Sequence, residues 1–261
     1  MLTFRVPAGP LSSYVRVLWH SAGWQPSGGR ERHMPDGTAS MLIVLEGATP
    51  GHSDDLAIIA GPRSSSSLIG ASEARTIIGV QFTSRGAGPW INVPLSELAN
   101  THAPLRDVAD PAAPVLRERL LASGAAEHRL DLLEEWLTLR LLRQPSGTEA
   151  IAWAVRAIER RPQVHIGDVA EGVGRSWRWF VERFSREVGL TPKVFSRLCR
   201  FQNAIACLHG DREIDLADVA VSLGYFDQAH FAHDFHTIAG ITPTAYRARR
   251  TVHRNHVAIV A

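Results

Sequence analysis

The chain has 261 residues, 45% of them apolar, enough for one large domain or two ordinary domains with a buried core. It contains two cysteines, Cys199 and Cys207, which excludes a disulfide framework and favours a reducing compartment. The net charge of +2 excludes a polybasic tail, and no apolar stretch is long enough to span a bilayer. We therefore expect a soluble cytoplasmic protein with no membrane partner.

The first half of the chain has the pattern of a β-rich domain. Short segments rich in β-branched residues, bounded by Gly, Pro, Ser and Asp, predict strands at 14–19, 41–46, 56–61 and 76–83. Between them, residues 61–67 (GPRSSSS) predict a loop, and residues 94–100 predict a short helix.

Helical periodicity begins at about residue 112 and continues to residue 143. Leu130, Leu133, Leu137 and Leu141 share one face of the predicted helix, and that face suits either a core or an interface that pairs two subunits. Residues 143–149 (RQPSGTE) combine Pro, Ser and Gly, so they predict a linker. Beyond the linker the pattern predicts only helices.

The helical part contains an internal repeat. The segment DVAEGVGRSWRWFVERFSREVGLTP (168–192) returns as DVAVSLGYFDQAHFAHDFHTIAGITP (218–243) with one inserted residue. Each copy places a Gly at the end of a short helix and a polar N-cap, Ser176 or Asp227, before a second helix. Phe pairs at i, i+4 on the second helix point inward, and Thr-Pro begins the next helix. The repeat therefore predicts two helix-turn-helix units.

One continuous amphipathic helix is predicted between the two units, over residues 191–210. About 18 residues at 1.5 Å each span roughly 27 Å. With the turns at its ends, this helix places the two second helices near the ~34 Å of one DNA turn, so both fit major grooves on one face. The C-terminal residues 148–261 hold 15 basic and 12 acidic residues, a balance that permits nucleic-acid binding without demanding it.

The helical half resembles the AraC/XylS family of bacterial transcription regulators over about residues 148–250. The most specific stretch is LADVAVSLGYFDQAHFAHDFHTIAGITPTAYR (216–247), with the family's Gly-Tyr, His-Phe, second Phe, Gly, Pro and Tyr-Arg positions. The N-terminal stretches PLSSYVRVLW, MPDG, GPR and IIGVQF resemble the cupin-like sensory domains of one subgroup. The resemblance implies a DNA-binding regulator, with an unidentified small-molecule effector and RNA polymerase among its partners.

The predicted fold class is α+β with two domains. A β-rich, cupin-like domain for sensing or dimerisation is expected over residues 1–145, and it ends in helices. An all-α domain of two helix-turn-helix units joined by a long helix is expected over residues 148–250, with a tail over 251–261.

The resemblance implies that DNA contacts come from the caps and exposed faces of the two second helices. The expected DNA-binding residues are Ser176, Trp177, Arg178, Val181, Glu182, Asp227, Gln228, Ala229, His230 and His233. Two of them depart from the family pattern, because Glu182 and His233 stand where the family usually carries Arg. A carboxylate repels phosphate but accepts a hydrogen bond from the cytosine amine, so Glu182 alters either affinity or sequence preference.

Three smaller features leave alternatives open. His230, His233 and His236 suit DNA contact, a metal site or a solvated face; zinc on one helix favours a pair at i, i+4 and needs another ligand from elsewhere. Cys199 and Cys207 are expected to be buried small apolar residues. His33 with the Asp36-Gly37 turn lines a pocket or is simply a turn.

Together these features predict a sequence-specific transcription regulator, an activator in the family pattern, that acts on double-stranded DNA without catalysis, metal or cofactor. Two alternatives remain: a cupin-like metalloenzyme or small-molecule-binding domain fused to a degenerate DNA-binding module, and a pure interaction module. A homodimer is a further hypothesis, in which residues 115–143 form one helix that pairs two subunits through the face of Leu130, Leu133, Leu137 and Leu141.

Overall fold

The computed structural model describes residues 2–23, 30–47, 55–70, 76–109, 113–141, 149–210 and 214–259. The strands are β1 (Leu2–Arg5), β2 (Val15–Ala22), β3 (Arg30–His33), β4 (Ser40–Glu46), β5 (Ala57–Ala60), β6 (Ser67–Gly70), β7 (Thr76–Phe82), β8 (His102–Pro104) and β9 (His256–Ala258). Strands β2, β4, β5 and β7 confirm the four predicted strands. The short helix predicted at 94–100 is a 3-10 turn at Leu95–Leu98.

The helices begin where the N-terminal strands end. They are α1 (Leu105–Val108), α2 (Ala113–Ala122), α3 (Ala126–Leu141), α4 (Glu149–Arg160), α5 (Ile166–Val173), α6 (Trp177–Val188), α7 (Pro192–His209), α8 (Leu216–Ser222), α9 (Gln228–Ala239) and α10 (Pro243–Arg249). The predicted fold class is confirmed, with a β-rich N-terminal part followed by a helical C-terminal part. In the described part of the chain, no helix is long and apolar enough to cross a membrane.

The N-terminal part is built on an antiparallel sheet in the order β1-β2-β7-β4-β5-β8. A Cβ at Gly79 of β7 would lie 2.4 Å from the indole ring of Trp19 on β2, so the glycine makes room for this ring. The apolar face of the sheet shares a buried cluster with residues of α2 and α3. This cluster forms the N-terminal core.

The leucine face of α3 belongs to that core. Leu130, Leu133 and Leu137 are fully buried, and Leu141 packs against the same cluster. Residues 113–141 also form two helices rather than the single helix that was predicted. The hypothesis that this face pairs two subunits is therefore wrong, because the sheet of the same chain already covers it.

The C-terminal part has its own core between the helices. Phe180, Phe184, Phe231 and Phe235 are buried in one cluster with residues from α4, α5, α7 and α10. Met34 from the N-terminal part and Val257 from β9 join this cluster. The two parts therefore share a packed, apolar contact.

Two further predictions need correction, and one lies outside the described residues. The C-terminal segment is not only helical, because β9 pairs antiparallel with β3 in a sheet ordered β6-β3-β9. Cys207 is exposed rather than buried, whereas Cys199 is partly buried beside the C-terminal core. The predicted linker at 143–149 falls almost wholly outside the described residues, since the description resumes at residue 149.

Candidate nucleic-acid interface

The first helix-turn-helix unit consists of α5 and α6. Gly174 ends α5 in the left-handed conformation with φ of +68°, which glycine adopts without the steric cost of a Cβ. The Ser176 hydroxyl then accepts a hydrogen bond from the Trp179 N–H at 3.3 Å and caps α6. Both features match the sequence prediction, so this turn is fixed by local chemistry.

The second unit repeats the arrangement with α8 and α9. Gly224 follows α8 with φ of +73°, and the Asp227 carboxylate accepts a hydrogen bond from the His230 N–H at 2.7 Å. Helix α9 starts at the next residue and has 12 residues, the same length as α6. The predicted duplication is therefore present in the fold as well as in the sequence.

Helix α7 joins the two units. It begins at Pro192 behind the cap Thr191 and runs without interruption for 18 residues to His209. Its buried residues include Phe195, Phe201 and Ile205, which lie in the C-terminal core. Because α7 packs along its length, it links α6 and α9 as a rigid element rather than a flexible tether.

The N-terminal end of α6 is open to solvent. Trp177 is 57% exposed, and the Arg178 Nε donates to Glu182 Oε1 at 2.8 Å. This bond raises the pKa of Arg178 and places a carboxylate beside the exposed guanidinium. Val181, which was expected to face outward, is half-buried against the C-terminal core, because it lies close to the Phe180 stripe. It is the one expected DNA-binding residue on α6 that the fold turns inward.

The exposed face of α9 carries the other predicted residues. Gln228, Ala229, His230 and His233 are exposed, and the His230 ring lies edge-on to Tyr225 with centroids 5.3 Å apart. His236 is exposed as well. The described part of the chain gathers no group of three His, Cys, Asp or Glu side chains that would hold a metal ion.

A buried carboxylate that the sequence did not reveal anchors α9. Asp234 is 8% exposed; its Oδ2 accepts from the Tyr225 hydroxyl at 2.9 Å, and its Oδ1 accepts from Arg197 Nε on α7. The Arg200 guanidinium lies over the Tyr225 ring, 4.4 Å from its centroid. Burial, followed by the charge of Asp234, raises the pKa of Tyr225. The only sequence signal is an acidic residue directly before Phe235 on the buried face of α9.

An exposed aromatic residue precedes the cap of α9. Phe226 is 89% exposed in the turn between α8 and α9, and Val221 on α8 is 71% exposed. Sequence reasoning missed Phe226 because this residue lies between α8 and α9, outside the helical periodicity.

The candidate pocket at His33 and Asp36-Gly37 is a turn. Asp36 Oδ1 accepts from the backbone N–H and the hydroxyl of Thr38, at 3.1 and 2.9 Å, and Gly37 has φ of +73°. The simpler of the two interpretations therefore describes this segment.

Family models match two separate parts of the chain. Residues 169–249 match a helix-turn-helix domain family, and residues 4–104 match a domain of unknown function (DUF6597). The helix-turn-helix match is confined to this part of the chain. Its bounds enclose α6, α7, α8, α9 and α10 together with most of α5.

One curated protein is similar to part of this chain. The chain is 27% identical over 161 residues to an uncharacterized HTH-type transcriptional regulator of Haemophilus influenzae, which covers 61% of this chain and 51% of that protein. The chain thus spans about half the length of this curated relative.

Two solved structures match the chain with low scores. The C-terminal domain of AraT, a response regulator from Geobacillus stearothermophilus, has 20% identity and a TM-score of 0.38, covering 42% of this chain and 92% of that domain. ToxT from Vibrio cholerae has 9% identity and a TM-score of 0.42, covering 95% of this chain and 97% of ToxT.

Proposed function

We propose that this chain is a sequence-specific DNA-binding transcription regulator whose helices α6 and α9 enter successive major grooves. The observation that carries the proposal is the duplicated, capped helix-turn-helix joined by the 18-residue α7, within residues 169–249, which match a helix-turn-helix domain family. In both units the N-terminal end of the second helix is exposed. This is the end that contacts base edges in helix-turn-helix proteins.

The exposed residues divide by chemistry into base contacts and backbone contacts. Gln228 has the amide that pairs with adenine, and Arg178 has the guanidinium that pairs with guanine or binds a phosphate. His230 and His233 suit phosphate or base edges, and Trp177 suits sugar or a thymine methyl. The side chains of Ser176 and Asp227 cap α6 and α9, so we assign these two residues to positioning the recognition helices rather than to contacting DNA.

The wider roles of the protein extend the proposal beyond the domain. Four wider roles stay predictions: regulation by a small-molecule effector, contact with RNA polymerase, action as an activator, and assembly as a homodimer. The proposal assigns no catalytic step to the chain.

Selection of duplexes from a random pool by the full chain tests the proposal directly. Fluorescence anisotropy should then show specific binding, with log K falling against log salt at a slope of about −3 to −6 as phosphate contacts release counterions. A scrambled duplex of equal composition is the control. The proposal fails if the selected and scrambled duplexes bind equally at every salt concentration.

The Arg178–Glu182 pair favours one second candidate function, an interaction module whose first recognition helix no longer contacts DNA. The pair places a carboxylate against the guanidinium at the exposed end of α6. In that case the selected duplex would contain one conserved half-site, contacted by α9, rather than two.

A further inference from the structure

The C-terminal end of α9 is capped by a residue of the N-terminal part. The last carbonyls of any helix lack partners within that helix. Here the Ser66 N–H donates to Ile238 O and the Ser66 hydroxyl donates to Ala239 O, both at 2.8 Å. Arg32 NH1 donates to the same hydroxyl at 3.0 Å, which brings a positive charge to the negative end of the helix dipole.

The C-terminal end of α6 rests on the same segment of the N-terminal part. Gly189 caps α6 with φ of +87°, and a Cβ at this position would lie 2.4 Å from Pro62 Cγ and 3.1 Å from Leu95 O. Pro62 is buried in this contact. Only a glycine lets the end of α6 approach the proline ring so closely.

The segment between these two contacts is itself held firmly. The Gly61 N–H donates to Thr101 O, and the Asn100 N–H donates to Pro62 O, each at 3.0 Å. The Asn100 side-chain oxygen accepts from the Ser64 N–H at 2.8 Å and from its hydroxyl at 2.9 Å. Residues 62–66 therefore form a fixed connection between the ends of α6 and α9.

We infer that residues 62–66 act as a brace that sets the separation of the two recognition helices, and hence the spacing of DNA half-sites that the protein accepts. The inference rests on the proposed DNA-binding function. Four peptide steps of at most ~3.6 Å hold the two contact points within about 14 Å of each other. Each recognition helix then carries its exposed N-terminal end roughly 17 Å away from the brace. A small change of angle at the brace is therefore enlarged at the DNA.

The first test varies the spacing of the half-sites in the selected duplex. Wild type should lose at least about tenfold in affinity when the spacer is lengthened by two base pairs, because the second helix leaves its groove. The double variant Pro62→Ala/Ser66→Ala should lose less than about threefold, with affinity for the original spacing kept within about threefold. Ser65→Ala, at an exposed position of the same segment, is the matched control. A double variant that keeps the wild-type spacing penalty would overturn the inference.

The second test measures the brace without DNA. The Gly240 N–H donates to His236 O in the last turn of α9, next to the carbonyls that Ser66 caps. Ser66→Ala should accelerate hydrogen exchange at this amide by about fivefold, the effect of one ordinary hydrogen bond, whereas Ser65→Ala should not.

The two tests separate failure of the brace from failure of the proposed function. Unchanged exchange in Ser66→Ala overturns the brace by itself. Absence of any specific duplex for wild type overturns the proposed function, and the role in spacing with it. Faster exchange combined with relaxed spacing supports the inference.

Discussion

Replacing Glu182 by glutamine should strengthen DNA binding and make it more sensitive to salt. In the free protein, Glu182 Oε1 accepts from Arg178 Nε at 2.8 Å, so the exposed guanidinium at the start of α6 has an internal partner. Glutamine keeps the size and the hydrogen-bonding capacity of the side chain but removes its charge. Arg178 then becomes available to a phosphate, and the repulsion between Glu182 and the DNA backbone disappears.

The magnitude follows from counterion release. One additional phosphate contact changes the slope of log K against log salt by about −0.9. Over a fourfold rise in salt, from about 50 mM to 200 mM, the variant should therefore lose about 3.5-fold more affinity than wild type. Its affinity should exceed that of wild type at the lower salt concentration.

Anisotropy titrations of the selected duplex at several salt concentrations provide the assay. The control is Glu149→Gln on α4, since Glu149 forms an equally long, exposed pair with Arg156 at 2.8 Å but lies outside both helix-turn-helix units. Equal slopes for the two variants would refute the reasoning. Weaker binding by Glu182→Gln would instead show that the carboxylate accepts a hydrogen bond from a base, as cytosine allows.

Four other outcomes are expected. His233→Arg should strengthen duplex binding at pH 8 in anisotropy titrations, because arginine brings a permanent positive charge to the exposed face of α9, whereas unchanged binding argues against a phosphate contact at this position. Phe226→Ala should weaken duplex binding, because Phe226 stands next to the cap of the proposed recognition helix α9. It should change the free energy of unfolding by less than about 0.5 kcal/mol, because the side chain is 89% exposed. Burial, followed by the charge of His256, lowers the pKa of His33 to about 4. Because the unfolded chain binds this proton at a higher pH than the folded chain, the free energy of unfolding should fall as the pH drops from about 6.5 to 4. Urea unfolding should show this fall in wild type and a smaller fall in His33→Gln. Iodoacetamide at about pH 8 should label exposed Cys207 before Cys199 in a mass spectrum, since burial raises the pKa of Cys199 to about 12.

The helix-turn-helix units could be predicted from the sequence because their determinants are local. A cap such as Ser176 or Asp227, a glycine with positive φ such as Gly174, and a Phe pair four residues apart act within a few residues of one another. The duplication then supplied a second, independent instance of the same pattern. Local propensity, periodicity and turn chemistry agree in this region, which is the condition for a dependable prediction.

The N-terminal pairing could not be predicted in the same way. Strands β1, β3, β6, β8 and β9 have three or four residues each, too short for alternation to be distinctive. β9 becomes a strand only because it pairs with the edge strand β3. The buried Glu31 Oε2 lies 2.8 Å from His256 Nδ1, although the two residues are 225 positions apart in the sequence. Such a contact has no local signature.

The leucines of α3 show a different limit. Their spacing correctly marks an apolar face, but a face that packs on a sheet and a face that pairs two subunits have the same periodicity. Only the tertiary position of the helix separates the two, and it buries Leu130, Leu133 and Leu137 within the chain. Asp234 could not be interpreted from the sequence either, since a carboxylate on the core face of a helix needs buried hydrogen-bond partners. The structure supplies these partners as Tyr225 and Arg197.

The charge of the recognition helices bears on how the proposed regulator would discriminate between sequences. Arg178 is paired with Glu182 on α6, and the exposed face of α9 carries His233 rather than an arginine. Phosphate attraction, which raises affinity for every sequence alike, is thereby reduced at both helices. Discrimination between DNA sequences must then depend more on placing the exposed ends of α6 and α9 in two grooves at once. The two contacts reinforce each other only when the separation of the helices matches the separation of the grooves. Such a protein has more need of a fixed distance between α6 and α9, and residues 62–66 and α7 each supply one such connection.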